Sequence, residues 1–170
     1  MEILHQNQQS QIPKGSPKCD ILDGLVWRWF TGTRNINDPQ FMSIPGALAF
    51  LIYVDWFNEH GKSTRLASIG PIMLICLNLP PSERLKRDNV YVSGITPGPK
   101  EPTSLQLSYL LMPPIKELKK LWQGYHFPPT STGPSESFIH VPILRAIADV
   151  FSMRKFTGFI SHSDKHFCNF

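Results

Sequence analysis

Cysteines are few, long apolar runs are missing, and glycine-rich phosphate loops do not occur. Cys19, Cys76 and Cys168 are an odd number at wide spacing, which does not look like a secreted disulfide framework and points to a reducing compartment. No apolar run approaches the roughly 20 residues that span a bilayer. The start Met-Glu-Ile-Leu-His-Gln-Asn has no basic region followed by an apolar one, so neither membrane insertion nor secretion is expected. Gly94-Ile-Thr-Pro-Gly-Pro99 is too proline-bound for a Walker-type loop. No nucleophile elbow or Cys-His hydrolase arrangement can be traced. The net charge is only +4 and the basic residues are dispersed, so charge alone argues weakly for nucleic acid.

With 170 residues, 41% of them hydrophobic, the chain can bury one sizeable core but not two. Residues 1–19 are rich in Gln, Ser, Pro and Lys and read as a flexible segment; residues 20–170 read as one domain. Asp20-Ile-Leu-Asp-Gly-Leu-Val-Trp-Arg-Trp-Phe30 is expected to clip onto the core. A central strand, buried on both faces, is predicted over Ala47 to Asp55. It forms an antiparallel hairpin with a second strand over Leu66 to Leu77, in which Gly70-Pro71 implies a bulge or bend. Glu83-Arg-Leu-Lys-Arg87 reads as a solvated basic loop, Val90 to Ile95 as a third strand, and Thr96 to Pro102 as a rigid loop.

One helix is predicted from Thr103, where Thr103 and Gln106 have capping-box spacing, to Gln123, with Gly124 as the stop. Ile115, Leu118, Leu121 and Trp122 share its apolar face. Pro113-Pro114 is expected to kink or split it. A loop from Phe127 to Pro134 follows. Ser137 to Ala148 is then a fourth strand, or a strand turning into helix, that arrives at Asp149. The tryptophans Trp27, Trp29, Trp56 and Trp122 could stack on bases but read as core or core-edge residues.

The first and fourth strands therefore both end on a carboxylate. Asp55 has two readings, a turn-former beside Asn58 and Gly61 or a site residue, because carboxylates are seldom buried without a partner or a metal. Asp149 likewise could be a helix N-cap. The order strand, strand, strand, helix, strand describes the N-terminal part of a ribonuclease H-like α/β fold. In such a mixed sheet strands 1–3 are antiparallel, strand 4 lies parallel to strand 1, and Asp55 and Asp149 meet at one edge. Two carboxylates there suit Mg²⁺ or Mn²⁺, which take oxygen ligands together with water and phosphate oxygens.

Six segments in order carry a family resemblance: Asp20-Ile-Leu-Asp-Gly-Leu-Val-Trp27, Val54-Asp-Trp-Phe-Asn58, Cys76-Leu-Asn-Leu-Pro-Pro81, Gly94-Ile-Thr-Pro-Gly-Pro-Lys-Glu-Pro102, Gly158-Phe159 and Ser161-His-Ser-Asp-Lys-His-Phe-Cys168. With them the chain resembles the transposases of CACTA, or En/Spm-type, DNA transposons. The resemblance implies a nuclear cut-and-paste transposase core with an Asp-Asp-Glu/Asp triad, acting on transposon ends and target DNA, with Asp55 as the first acid and Asp149 as the second. It also implies that Cys168 begins a Cys-x-x-Cys zinc motif, here without its second cysteine, beside His162 and His166. Zinc is then expected only where the full motif is present. The third acid is expected beyond that motif, so this chain alone is expected to be inactive. The alternative is a noncatalytic, domesticated transposon remnant that binds DNA or transposase subunits through Arg84, Lys86 and Arg87.

Overall fold

A computed structural model describes residues 17, 19–32, 39–58, 68–131, 133 and 135–157. Cys168, His162, His166 and the Gly158-Phe159 segment lie outside the described residues, as does residues 1–19 apart from Pro17 and Cys19.

The strands are β1 (Phe50–Val54), β2 (Phe57–Asn58), β3 (Ser68–Cys76), β4 (Val90–Thr96), β5 (Tyr125–Phe127), β6 (Ser137–Ile139) and β7 (Ile143–Ile147). A five-stranded sheet runs β2-β3-β1-β7, with β4 also paired to β3, and β5 and β6 form a separate two-stranded sheet. Taking the long strands alone, β4-β3-β1-β7 is the spatial order third, second, first, fourth. The architecture is mixed α/β and compatible with the N-terminal part of a ribonuclease H-like fold.

β1 is central, and Leu51, Ile52 and Val54 are all buried, which matches its near-continuous apolar sequence. Its pairing with β3 is antiparallel: Leu77, just past the end of β3, donates its N–H to Ala49 O at 2.8 Å, just before β1. Further along the same register, Phe57 pairs with Ile69 and Asn58 with Ser68. The residue numbers of these pairs have one constant sum, so no residue is inserted between them. Pro71 is thereby set across from Asp55, and Gly70 across from Trp56. Of the bulge or bend expected in β3, the bulge does not form. β3 runs through Gly70-Pro71, and the interruption falls instead on the opposing arm, at Asp55-Trp56 between β1 and β2. The physical cause is that proline has no N–H to donate at that rung.

Against β7 the pairing is parallel. Leu48 N–H donates to His140 O (2.8 Å), Phe50 N–H to Pro142 O (2.9 Å) and His140 N–H to Gly46 O (3.2 Å), and Ala47 forms a parallel bridge with His140. The predicted fourth strand is thus divided by the Val141-Pro142 step, its first part pairing with β5 and its second with β1. No strand is predicted at β5, which lies between the helix stop at Gly124 and the loop predicted from Phe127.

Helix α1 is Leu25–Trp29, α2 Pro81–Arg84, α3 Ser104–Gln123 and α4 Val150–Thr157. The capping box on α3 is present: Thr103 N–H donates to Gln106 Oε1 (2.9 Å) and Gln106 N–H to Thr103 Oγ1 (3.3 Å). Gly124 ends the helix with φ +94°, in the left-handed region that favours glycine. Of the kink or split expected at Pro113-Pro114, the split does not occur, and α3 runs unbroken through both prolines. The carbonyls these prolines leave unbonded belong to Tyr109 and Leu110, both exposed to water, while Leu107 and Leu111 are buried and anchor the preceding turns. Those two leucines, rather than Ile115 or Trp122, are the buried positions of the helix.

Chain contacts divide the molecule into two compact units, Met1–Leu51 with Ile75–Val90 and Glu117–Leu144, and Ile52–Leu74 with Tyr91–Lys116 and Arg145–Phe170. In the first unit, Phe41 packs against Trp122 (ring centroids 4.9 Å apart) and Phe30 (5.9 Å), and Trp27 is buried. Asn78, 1% exposed, accepts from Ala49 N–H (2.8 Å) and donates to Ala47 O (3.1 Å). The Asp20 segment clips on as expected, by an ion pair. Arg84 donates to both oxygens of Asp20, at 2.5 and 2.7 Å, and through Nε to Leu79 O at 2.7 Å. Arg84 is therefore not part of a solvated loop; its side chain is 12% exposed. In the second unit, Leu107, Leu111, Ile72 and Val54 are buried.

Removing one partner of a nearly buried pair leaves the other charge uncompensated. Asp20→Asn and Arg84→Met are each expected to lower stability by about 1–3 kcal/mol. In urea denaturation the double variant should lose clearly less than the sum of the two. Strict additivity would show that the pair is not coupled.

Candidate active site

Asp55 is the residue at which the β1–β3 ladder loses a rung. It is half-buried, and neither carboxylate oxygen is idle: Oδ2 accepts from the Tyr53 hydroxyl at 3.0 Å and Oδ1 from the Trp56 backbone N–H at 2.8 Å. Each oxygen keeps a second lone pair. The adjacent indole is fixed as well. Trp56 Nε1–H donates to Thr96 Oγ1 at 2.9 Å, and the Thr96 hydroxyl donates to Gly70 O at 3.1 Å. Gly70 is required here, because a Cβ would collide with the indole Nε1 and come within 2.7 Å of Thr96 Oγ1.

The parallel register brings the second acid to the same place. The offset set by Ala47 and His140, carried along β1 and β7, puts Ala148 beside Asp55 and Asp149 one residue beyond. Asp149 is the N-cap of α4, Oδ1 accepting from Ser152 N–H at 2.6 Å. The capping reading is thus observed, and it uses one oxygen of an exposed carboxylate. Both acids act on Tyr53, whose phenol is pushed above its ordinary value by burial, by its hydrogen bond to Asp55, and by the negative charges of Asp55 and Asp149. Tyr53 is the side chain at which the two carboxylates are felt together.

Two exposed or half-exposed carboxylates with spare lone pairs are hard oxygen donors, and they fit a Mg²⁺- or Mn²⁺-type ion that completes its shell with water and phosphate oxygens. Among the described residues no group of three or more His, Cys, Asp or Glu side chains is placed to hold a metal, so no closed protein cage is formed by them. Arg84, Lys86 and Arg87 belong to the other unit. Arg84 is engaged by Asp20, Lys86 pairs with Glu83 at 2.6 Å, and Arg87 is exposed. Tyr53, Trp56, Gly70, Thr96 and Lys155 were not singled out as site residues from the sequence. The one available signal was the Gly70-Pro71 pair, read as a local bend when its effect lies across the ladder.

A phenol raised in the folded state stays protonated while the unfolded phenol ionises. Its contribution to stability is complete below the ordinary phenol value and is lost as pH rises through the folded one. Stability is expected to fall with rising pH in this alkaline window, and less so in Tyr53→Phe. An ultraviolet titration should show the transition missing in Tyr53→Phe and moved down in Asp55→Asn; no movement in Asp55→Asn would break the assignment.

No curated protein and no solved structure matches the chain. A family profile described as "Transposase family tnp2" matches residues 20–169. That span covers the whole hairpin, the capped helix α3, and both strand-ending acids. On this match the chain belongs to the transposase family tnp2.

Proposed function

We propose that this chain supplies part of the metal-dependent catalytic core of a nuclear cut-and-paste DNA transposase of the CACTA (En/Spm) type. Asp55 and Asp149 are its first two acids, and transposon ends and target DNA are its substrates. Supporting this is the parallel register of β1 and β7, which sets both carboxylates at one end of the sheet in a chain of a transposase family. DNA is the partner the family suggests, and no helix among the described residues is long and apolar enough to cross a membrane.

In this reading Asp55 and Asp149 hold Mg²⁺ or Mn²⁺. An ion held there would supply Lewis acidity toward water and phosphodiester oxygens. Tyr53 donates to Asp55 and orients that carboxylate. The Trp56 N–H fixes its other oxygen. The α4 cap orients Asp149 in the same way. Two carboxylates leave the coordination shell open to substrate oxygens, and a third acid belongs to the complete triad. The 170-residue chain by itself is therefore proposed to bind metal but to be inactive in DNA cleavage. Zinc enters only with the full Cys-x-x-Cys motif that Cys168 would begin. DNA backbone contacts are proposed for Lys86 and Arg87, just past α2, rather than for the Asp20-bound Arg84.

Calorimetric titration with Mn²⁺ tests the site: Asp55→Asn and Asp149→Asn should each weaken binding by about tenfold or more. Unchanged affinity in both variants overturns the metal assignment. Robust Mg²⁺-dependent nicking lost in Asp55→Asn would instead overturn the inactivity of the isolated chain.

DNA affinity measured against salt concentration should fall in Lys86→Ala/Arg87→Ala, with a slope reduced by about 1 for each lost phosphate contact. An unchanged slope removes these two residues from the DNA surface. Salt-sensitive binding that persists in Asp55→Asn without any metal binding would favour the noncatalytic remnant.

A further inference from the structure

Trp56 is held more tightly than a residue in a ladder gap needs to be. Its backbone N–H is on Asp55, its indole N–H on Thr96, and Gly70 leaves room for the ring to pass. Thr96 is wholly buried. Over the ring lies Lys155 of α4, with Nζ 5.3 Å from the ring centroid. The same ammonium donates to Glu101 Oε2 at 2.5 Å, in the segment between β4 and α3. Its side chain is only 27% exposed, and a lysine shared between a carboxylate and an aromatic face is already committed, with little left for a phosphate. What it does join is the residue after Asp55 to the helix that Asp149 caps. Ser152 and Arg154 of that helix are buried, so α4 presents a packed face, and Lys155 ties it to the Asp55 side of the site.

We propose that Lys155 is a positioning residue: clamped by Glu101 over Trp56, it fixes α4 against the Asp55-Trp56 step and so sets the separation of the Asp55 and Asp149 carboxylates. The proposal rests on the reading of that pair as metal ligands. Groups behind a metal ligand commonly change affinity by about 10–100-fold when removed. Charge and position act in opposite directions here. Deleting a cation near a metal site tightens metal binding if only charge matters, and weakens it if the cation holds the ligands apart at the right distance.

The test is Mn²⁺ titration of the full 170-residue chain as wild type, Lys155→Met, Lys155→Arg and Asp55→Asn. It is combined with amide hydrogen exchange measured without metal. Lys155→Met is expected to weaken Mn²⁺ binding about tenfold, and Lys155→Arg to restore it, since a guanidinium both stacks on an indole and pairs with a carboxylate. Tighter or unchanged Mn²⁺ binding in Lys155→Met overturns the proposal. Without metal, the Trp56 and Ser152 amides, which donate to the two carboxylates, should exchange about tenfold faster in Lys155→Met while Leu111 in α3 is unchanged. Should Asp55→Asn leave Mn²⁺ binding unaltered, the metal reading falls, and the exchange data decide the positioning role alone. Faster exchange confined to those two amides sustains it, and equal exchange, or acceleration everywhere, ends it.

Discussion

A single missing donor organises the candidate site. Pro71 stands where β3 should give an N–H to the Asp55 carbonyl, and the β1 arm is interrupted there before resuming at Phe57 in the same register. Asp55 and Trp56 are thereby released from ladder geometry without any change in the pairing on either side. Gly70, beside the proline, provides the second half of the arrangement by leaving space for the indole to reach Thr96 on the far side of β3. Two residues with no chemistry of their own thus prepare the place for one that has it. The parallel partner β7 then delivers Asp149 to the same end of the sheet.

Many of the polar residues in the segments that carry the family resemblance are architectural. Asp20 receives Arg84, Asp23 accepts the N–H groups of Cys19 and Asp20 (2.8 and 3.0 Å), and Asn78 completes the hydrogen bonding of the strand before β1. These groups are buried or nearly so, and each is satisfied, which is the condition for a polar side chain to stabilise rather than cost. In the Val54 to Asn58 segment the Asp55 carboxylate is held by Tyr53 and by the Trp56 N–H and keeps a second lone pair on each oxygen. Similar residue types in similar motifs therefore divide into those that hold the chain and those left half-exposed at the end of the sheet.

The parts of the fold legible in the sequence were those fixed by local signals. The continuous apolar character of Ala47 to Val54 gave a central strand, Thr103 and Gln106 marked the start of α3, and Gly124 marked its end. The order of elements implied the sheet order. What was not legible depended on partners distant in the chain. Gly70-Pro71 was assigned a distortion that the register transfers to the opposite strand. Arg84 looked like a solvated charge because Asp20 is 64 positions away. Pro113-Pro114 carries a strong local penalty, yet exposure of the orphaned carbonyls and burial of Leu107 and Leu111 outweigh it. β5, with all three residues exposed, has no burial pattern to announce it. Of the candidate site, both carboxylates were legible as strand-ending acids. Tyr53 and Trp56 were hidden inside an apolar run, and Lys155 in an ordinary helix.

The side chain of Asn78 substitutes for a peptide group, taking an N–H from Ala49 and returning one to Ala47. This contact ties the end of β3 to the residues just before β1 and supports the observed register of the hairpin. A slip of one residue would turn every β1 side chain to the opposite face of the sheet, carrying the terminal acid with it. A buried carboxamide thus adds two hydrogen bonds to the register that gives Asp55 its facing, although it lies remote from that residue in sequence.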